Sequence, residues 1–513
     1  MRCMTQPRPE SLPREHSECS EYRMSDGDVF SYARHRPEQT LLYQLIERYW
    51  PDFQLYISER EHFLPRHVAR EFNEYLECGR LENGFLRVRC EDCHLEHLVA
   101  FSCKRRGFCP SCGARRMAET AALLVDDVLP HKPIRQWVLS FPYPLRFLLS
   151  SNPLVMSKVL GIVNRVISTH LIKKAGVKAT QAQTGAVTLI QRFGSALNLN
   201  VHFHMLFIDG VYQEKHNGQL RFHRVNAATT SELNTLVATI SQRVAGHLER
   251  QGLLVRDDES SYLTLDLQDD DAMNQLQGHS ITYRIAVGPQ QGRKVFTLQT
   301  IPSWEDDDFG TNQVGKIAGF SLHAGVATKT RERKKLERLC RYISRPAVSE
   351  KRLALTSQGK VRYQLKTPYR DGTTHVIFEP LDFMAKLAAL VPKPRANLTR
   401  YHGVLAPNSK RRIFVTPAKR GKGSTQKQCV KADEPARVDC HQSMTWAERL
   451  KRVFNIDVTI CSCCGGAVRI IACIENPSII SKILAHLDAK SGAAVAVNQL
   501  AEPRAPPQES LFD

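Results

Sequence analysis

The chain reads as an α+β protein, an antiparallel-sheet core with helices, preceded by a zinc-ribbon-like module and followed by a small cysteine-containing module. Three observations predict this. The strand-length apolar runs GAVTLIQRF and NLNVHFHMLFID are joined by a link as short as GSALNL, so they pair antiparallel. Helix-period segments such as SNPLVMSKVLGIVNRVISTHLIKKAG surround them. Cysteines are gathered into an early and a late block instead of being scattered.

The 513 residues suffice for several domains and a sizeable core. Lysine and arginine number 71 against 52 acidic residues, a net charge of +19, which suits an anionic polymer, most plausibly nucleic acid. No apolar run approaches the ~18–20 residues of a membrane span. The N-terminus lacks the apolar core of a signal peptide. No membrane partner is expected, and the expected location is the cytoplasm. In a reducing compartment the 15 cysteines call for metal ligation more than for disulfides.

In chain order, residues 1–40 are polar and proline-dotted, a loosely ordered extension. Residues 41–120 combine helical patterns (TLLYQLIERYW, RRMAETAALLVDDVL) with the early cysteine block. Residues 130–400 form the central α+β unit. IRQWVLSF opens it as a strand, a long amphipathic helix follows, and then the two strands quoted above. KTRERKKLERLCRYIS is a basic helix stopped by Pro346, because the residue before a proline avoids helical geometry. YQLKTPYRDGTTHVIFEP has the form of a hairpin with an Asp-Gly turn. A basic linker at 401–443, a small module at 444–488 and a tail at 489–513 complete the order.

Cys90-Glu-Asp-Cys93 and Cys109-Pro-Ser-Cys112 are two CxxC knuckles with fifteen residues between them. Two such knuckles complete a tetrahedral sulfur site for Zn²⁺ with the spacing of a zinc ribbon. Cys103 is a spare that could replace one ligand, and His94, His97 and Cys78 are weaker substitutes. No coordination position is left open, so the zinc is structural. Arg105 and Arg106 flank the site and are placed to touch DNA phosphate. The late run Cys461-Ser-Cys-Cys464-Gly-Gly holds half a ribbon. It is either an unmetallated turn or a zinc site completed by Cys473, Cys440 or His441.

In NVHFHMLFID, residues two apart share a strand face, so His202 and His204 present their imidazoles side by side. Val201, Phe203, Met205 and Phe207 face the opposite way, into a core. Two parallel imidazoles suit a divalent metal, although an HxH pair alone also fits structural histidines. Gln191 on the partner strand is either a third ligand or an edge-strand polar residue. As a ligand its amide oxygen would leave open positions, suited to Mg²⁺ or Mn²⁺ holding a phosphate.

On the basic helix, Leu336, Leu339, Cys340 and Ile343 form the apolar stripe. Tyr342 lies at its flank near Lys335, Arg338, Arg341 and Arg345, a cationic setting that would steady a phosphodiester under attack by the phenol oxygen.

Taken together, FSCKRRGFCPSCGARRM, QRFGSALNLNVHFHMLFIDGVY, LCRYISRP, VRYQLKTPYRDGTTHVIFEPLDF, LVPKPRANLTRYHGVLAPNS and CSCCGGAVRIIA resemble the HUH endonuclease superfamily. More closely, they resemble the rolling-circle insertion-sequence transposases with an N-terminal zinc-binding domain, over roughly residues 45–488. The resemblance implies an HUH-type antiparallel-sheet nuclease core with His202 and His204 on the metal. It also implies Tyr342 as nucleophile, a 5′-phosphotyrosine intermediate, and single-stranded DNA cut at the hairpin-like ends of the element. Founding members carry two tyrosines one helical turn apart. Here Arg338 stands four before Tyr342 and Pro346 four after, as in the single-tyrosine common-region (ISCR) branch. One tyrosine needs a second subunit of a homo-oligomer, or a 3′-hydroxyl, for the closing step.

Two other functions fit parts of the same sequence. A non-catalytic zinc-ribbon DNA-binding protein would use the cysteines and the charge and leave His202 and His204 structural. A carboxylate-type nuclease would need Asp269–Asp271 and Glu305–Asp308 to converge on one metal, whereas adjacent acids in polar surroundings read as solvated loops.

Overall fold

The computed structural model describes residues 30–31, 36–215, 218–256, 261–264, 272–299, 314–369, 371–418, 456–457, 459–461 and 463–492. Most of the N-terminal extension, most of the basic linker, the tail beyond 492, Cys440, His441, Asp269–Asp271 and Glu305–Asp308 lie outside the described residues.

The centre is a seven-stranded antiparallel sheet. Its strands are β1 (Ile134–Ser140), β2 (Gly185–Phe193), β3 (Leu199–Ile208), β4 (Val314–Ile317), β5 (Phe320–His323), β6 (Ala327–Thr328) and β7 (Thr399–Gly403). They run in the order β4-β5-β1-β3-β2-β7, with β6 also against β1. β3 sits in the middle, and every residue of it except Asn200 is buried. Helices cover both sheet faces, which is why both faces of the strand are buried, His202 and His204 included.

One face carries Val201, Phe203, Met205 and Phe207 against two long helices, Pro153–Lys174 and Thr230–Arg250. By length and composition the first of these could cross a membrane, yet its Val159, Val163 and Ile167 are packed into this core. The second starts with a capping box in which Thr229 and Glu232 satisfy each other's backbone N–H groups. On the opposite face, Leu206 and Ile208 meet Leu336, Leu339, Cys340 and Ile343, so the stripe read from the sequence is what seats the basic helix (Arg333–Ser344) on the sheet. Burial raises the Cys340 thiol to about 12, which keeps it a neutral core residue. Asp209 at the end of β3 is buried and accepts two hydrogen bonds from Arg135 at 3.0 and 2.9 Å.

The N-terminal module pairs the helices Leu41–Ser58 and Arg66–Glu77, with Trp50 stacked on Phe72 at 4.1 Å. Their core continues into a smaller antiparallel sheet that contains the predicted hairpin, Val361–Gln364 with Thr373–Phe378. Gly372 at its turn has φ +82°, a conformation that favours glycine.

Two expected boundaries differ from the structure. The linker placed at residue 401 starts inside β7, which pairs with β2 from Thr399 to Gly403, and Val404, Leu405 and Val415 continue the same core. The late cysteine segment is no separate module, because Val468–Ile474 pairs antiparallel with Phe85–Cys90, itself paired with Glu96–Ala100. Strand pairing across so many intervening residues leaves no local trace in sequence.

Candidate active site and metal centres

The register of the central sheet assembles the first site. Gln191 on β2 and Ser140 on β1 both lie opposite His202, and Val138 lies opposite His204. Directly opposed residues share a face, so both imidazoles and the Gln191 amide look toward the basic helix. The imidazole centroids are 4.9 Å apart, and the Tyr342 ring is 6.5 Å from that of His204 at 88°. The sheet thus brings together all four residues singled out in sequence.

Each donor is poised by a specific neighbour. His202 Nδ1–H donates to the Asn200 carbonyl at 2.8 Å, leaving Nε2 as the lone-pair nitrogen. Gln191 Nε2–H donates to the Ile343 carbonyl at 3.2 Å, which leaves Oε1 free and ties the amide to the tyrosine helix. His204 Nδ1 lies 2.7 Å from the Gln136 amide. A half-turn of that amide, whose two ends are isosteric, lets Oε1 accept from Nδ1–H. His204 Nε2 is buried with no partner, an orphaned lone pair where an ion would sit. Burial pushes His202 down to about 4 and His204 well below its ordinary value, so both are neutral at neutral pH, the form that ligates. Two imidazole nitrogens and one amide oxygen fit a divalent ion with open positions.

Tyr342 is partly exposed, and cations lie over its ring: the Arg345 guanidinium and Lys366 Nζ, each 4.4 Å from its centre. Burial lowers the Lys366 ammonium from its usual range. Gln136 and Lys366 were missed in sequence. The signal for Gln136 was a lone amide in the apolar strand IRQWVLSF; for Lys366, on a distant hairpin, there was none.

The cysteines form two tetrads, and neither is the predicted one. Cys90 and Cys93 do not meet Cys109 and Cys112. They meet Cys461 and Cys464 instead, with Cys90–Cys464 and Cys93–Cys461 sulfur distances of 3.4 and 3.5 Å. Cys109 and Cys112 meet Cys78 and Cys103, with Cys78 Sγ 3.8 Å from each and Cys103 Sγ 3.5 Å from Cys112. The spare cysteine and the weak substitute are thus members of a set of four, and the late half-ribbon is completed by the early knuckle. The reason is geometric. Cys90 ends a strand whose neighbour is the late strand, while Cys109 precedes, and Cys112 lies in the first turn of, the helix Pro110–Ala122. Each tetrad has the donor set of a closed tetrahedral Zn²⁺ site. Within the inner one, hydrogen bonds from Cys103, Cys109 and Cys78 hold Cys112 far below the usual thiol range, whereas contacts with the same neighbours and burial raise Cys109. The four sulfurs lie within 4.8 Å of one another and are placed to share one ion.

The basic residues divide. Arg105 is ion-paired with Glu74, so its charge is offset within the module, contrary to the expected phosphate contact. Lys335 lies 3.7 Å from Glu332. Arg338 and Arg341 form no ion pair among the described residues. Arg106 and Arg345 donate to the carbonyls of Ala396 and Tyr342, which satisfies a donor without neutralising the charge.

Comparison with known families gives two matches. Residues 45–141 match the IS91-type "Transposase zinc-binding domain", and residues 185–412 match the family described as "Putative transposase". No curated protein and no solved structure matches the chain. The matched domains indicate a transposase of insertion-sequence type, a DNA-binding enzyme of cleavage and strand transfer. The zinc-binding domain and the sulfur tetrads support structural zinc.

Proposed function

We propose that this transposase nicks and joins single-stranded DNA at the ends of its element by tyrosine attack, in the manner of the HUH endonucleases. The observation that carries the proposal is the convergence of His202, His204, Gln191 and Tyr342 across three elements, with the lone pair of His204 Nε2 unpartnered. His202 Nε2, His204 Nε2 and Gln191 Oε1 would hold Mg²⁺ or Mn²⁺, whose chemistry when bound is to polarise the scissile phosphate and offset transition-state charge.

The chain's own groups do the rest. Burial keeps the imidazoles neutral, and their backbone and Gln136 partners fix which nitrogen faces inward. Arg345 and Lys366 hold the phosphate beside the phenol. The Tyr342 oxygen attacks phosphorus and loses its proton to solvent. The P–O3′ bond breaks, O3′ takes up a proton, and the 5′-phosphate stays on tyrosine. That ester conserves the bond energy, so a later 3′-hydroxyl rejoins the strand without a nucleotide cofactor. Zn²⁺ in the two tetrads is structural. Arg338 one turn before Tyr342 and Pro346 after it leave one nucleophile per active site, so the closing step falls to a second subunit of a homo-oligomer or to a 3′-hydroxyl.

The test is a single-stranded oligonucleotide tiling of the element ends, incubated with Mn²⁺. A denaturation-resistant protein–DNA adduct, absent in Tyr342→Phe and in His204→Ala, is expected. Tight binding with no adduct at any tile would leave a non-catalytic zinc-ribbon DNA-binding protein.

A further inference from the structure

At the end of the central sheet that carries His202, three tyrosines gather around one guanidinium. Ser140 lies opposite His202, and Tyr143, just beyond it in the chain, opens the helix Tyr143–Ser151. Tyr143 is 50% exposed, a large ring that no core holds. The Arg146 guanidinium covers one face of it at 4.6 Å from the ring centre, while Arg146 Nε–H donates to the Phe141 carbonyl at 2.7 Å. Arg146 forms no ion pair among the described residues, and its charge is close enough to His202 to help lower that imidazole. Tyr283 and Tyr369, both half-buried, are hydrogen-bonded to each other beside Tyr143 and Arg146. The Tyr369 hydroxyl also lies 3.4 Å from Ser195 Oγ, in the link between β2 and β3. Tyr369 shares its hairpin with Lys366, which lies over the Tyr342 ring.

Tyr283 is the decisive residue. It follows the helix Ala272–Ile281 with φ +57°, the left-handed position that usually goes to glycine after a helix. A bulky ring there is strained, and it persists only where the surrounding structure holds it. The brace is a buried ion pair. Asp382 and Lys386, 1% and 2% exposed, stand 3.8 Å apart on the helix Pro380–Leu390. Asp382 Oδ1 accepts from the Ala286 N–H at 2.7 Å, and Lys386 Nζ donates to the Arg284 carbonyl. Both ends of the pair thus grip the turn just after Tyr283. Charges desolvated this far are costly, and fixing one conformation is a use that offsets the cost. Ser280 Oγ accepts from the Leu199 N–H at 2.9 Å, which ties the same segment to the start of β3.

We propose that Tyr143, Tyr283, Tyr369 and Arg146 bind an unpaired base of the single strand next to the scissile linkage. Tyr143, backed by Arg146, stacks on the base, and the two linked phenols meet its polar edge. Asp382 and Lys386 are positioning residues for the site. The inference rests on the proposed nicking function for the identity of the strand. Aromatic rings stack on bases of any sequence, and a guanidinium adds a cation–π contribution. Phenol hydroxyls both donate and accept, which suits the mixed edge of a base. A base inside a duplex has its faces covered by its neighbours and its edge by its partner, so this site selects single strands.

The test uses the full chain with two probes, an oligo-dA strand and an all-abasic strand of the same length that keeps the phosphates and lacks the bases. Dissociation constants are read by anisotropy at fixed salt, together with thermal unfolding. Wild type should prefer the oligo-dA strand. Tyr143→Ala should weaken oligo-dA binding about 5- to 100-fold, the range of one lost stacking contact, and leave abasic binding within about twofold. Tyr143→Phe should keep both affinities. The ring is exposed, so the unfolding temperature should hold in each variant. The double variant Asp382→Leu, Lys386→Met removes both buried charges together and should narrow the oligo-dA preference severalfold with abasic binding unchanged. An unchanged preference there would remove the positioning role, and Tyr143→Ala tests the base site independently of that variant's stability. Wild type with a Tyr143-dependent preference that forms no adduct at any element end would count against the nicking function and leave the base site standing. Equal weakening on both strands in Tyr143→Ala, or none on either, would overturn the base site.

Discussion

The two sulfur tetrads have the same donors and opposite positions. The inner one, Cys78, Cys103, Cys109 and Cys112, is largely buried in the core that the helices Leu41–Ser58 and Arg66–Glu77 share with the smaller sheet. Its helix also touches the segment just after Tyr342, since a Cβ on Gly113 would come 2.6 Å from the Pro346 Cβ. The outer tetrad has Cys464 exposed and Cys93 half-buried, and it joins a strand near the start of the chain to one near its end. Equal chemistry thus serves unlike tasks: the inner set fixes the module against the segment that follows Tyr342, and the outer set fastens a distant strand to a sheet edge.

The largest break in this comparison is Cys109→Ser. With structural zinc binding worth roughly 10–16 kcal/mol in small zinc domains, loss of the inner ion should unfold the module. Zinc content should drop by one equivalent, the unfolding temperature should fall steeply, and adduct yield should fall by more than about tenfold. Cys461→Ser should also remove one zinc equivalent, measured by the same metal assay. Its adduct yield should stay within about threefold of wild type, while hydrogen exchange rises in Val468–Ile474. Equal loss of activity in both variants would erase the distinction.

A finer probe leaves both ions in place. Gly113→Ala drives a methyl into Pro346 backbone-side atoms, a clash of about 1–3 kcal/mol set against a helix-propensity gain of up to ~1 kcal/mol. Adduct formation should slow severalfold with zinc content unchanged. Its counterpart, Gly466→Ala, meets the mobile carboxylate end of Asp92, so activity and zinc should both be unaffected.

The smallest effect is on pH. His202 and His204 have folded pKa values below their unfolded ones, so unfolding takes up protons once the pH drops below about 6.5. The metal-free protein should lose stability as the pH falls below about 6.5, through His202 down to about 4 and through His204 in the same direction. This acid sensitivity should be blunted in a His202→Gln variant and unchanged in Cys461→Ser, as read by thermal unfolding across pH.

Local pattern was readable in sequence. The alternation in NVHFHMLFID, the stripe Leu336–Leu339–Cys340–Ile343 and the short link after Phe193 depend on neighbours a few residues away, and the structure has each of them. What failed was partner choice among equivalent thiols. Knuckle spacing says that Cys90 and Cys93 share an ion, and it cannot say which second pair joins them. That depends on Val468–Ile474 reaching Phe85–Cys90 across most of the chain. Lys366 was illegible for the same reason, and the lone amide Gln136 gained its meaning only from register.

The late strand has a consequence for how the protein is made. Cys461 follows Cys93 by 368 residues, so at about 5–20 residues per second the outer tetrad waits tens of seconds on the ribosome for its second half. Until then Phe85–Cys90 has an open edge. A chain cut short by a premature stop would keep Tyr342, His202 and His204, yet never close that edge or complete its second sulfur tetrad. Completeness of translation is thereby written into the metal content of the finished protein.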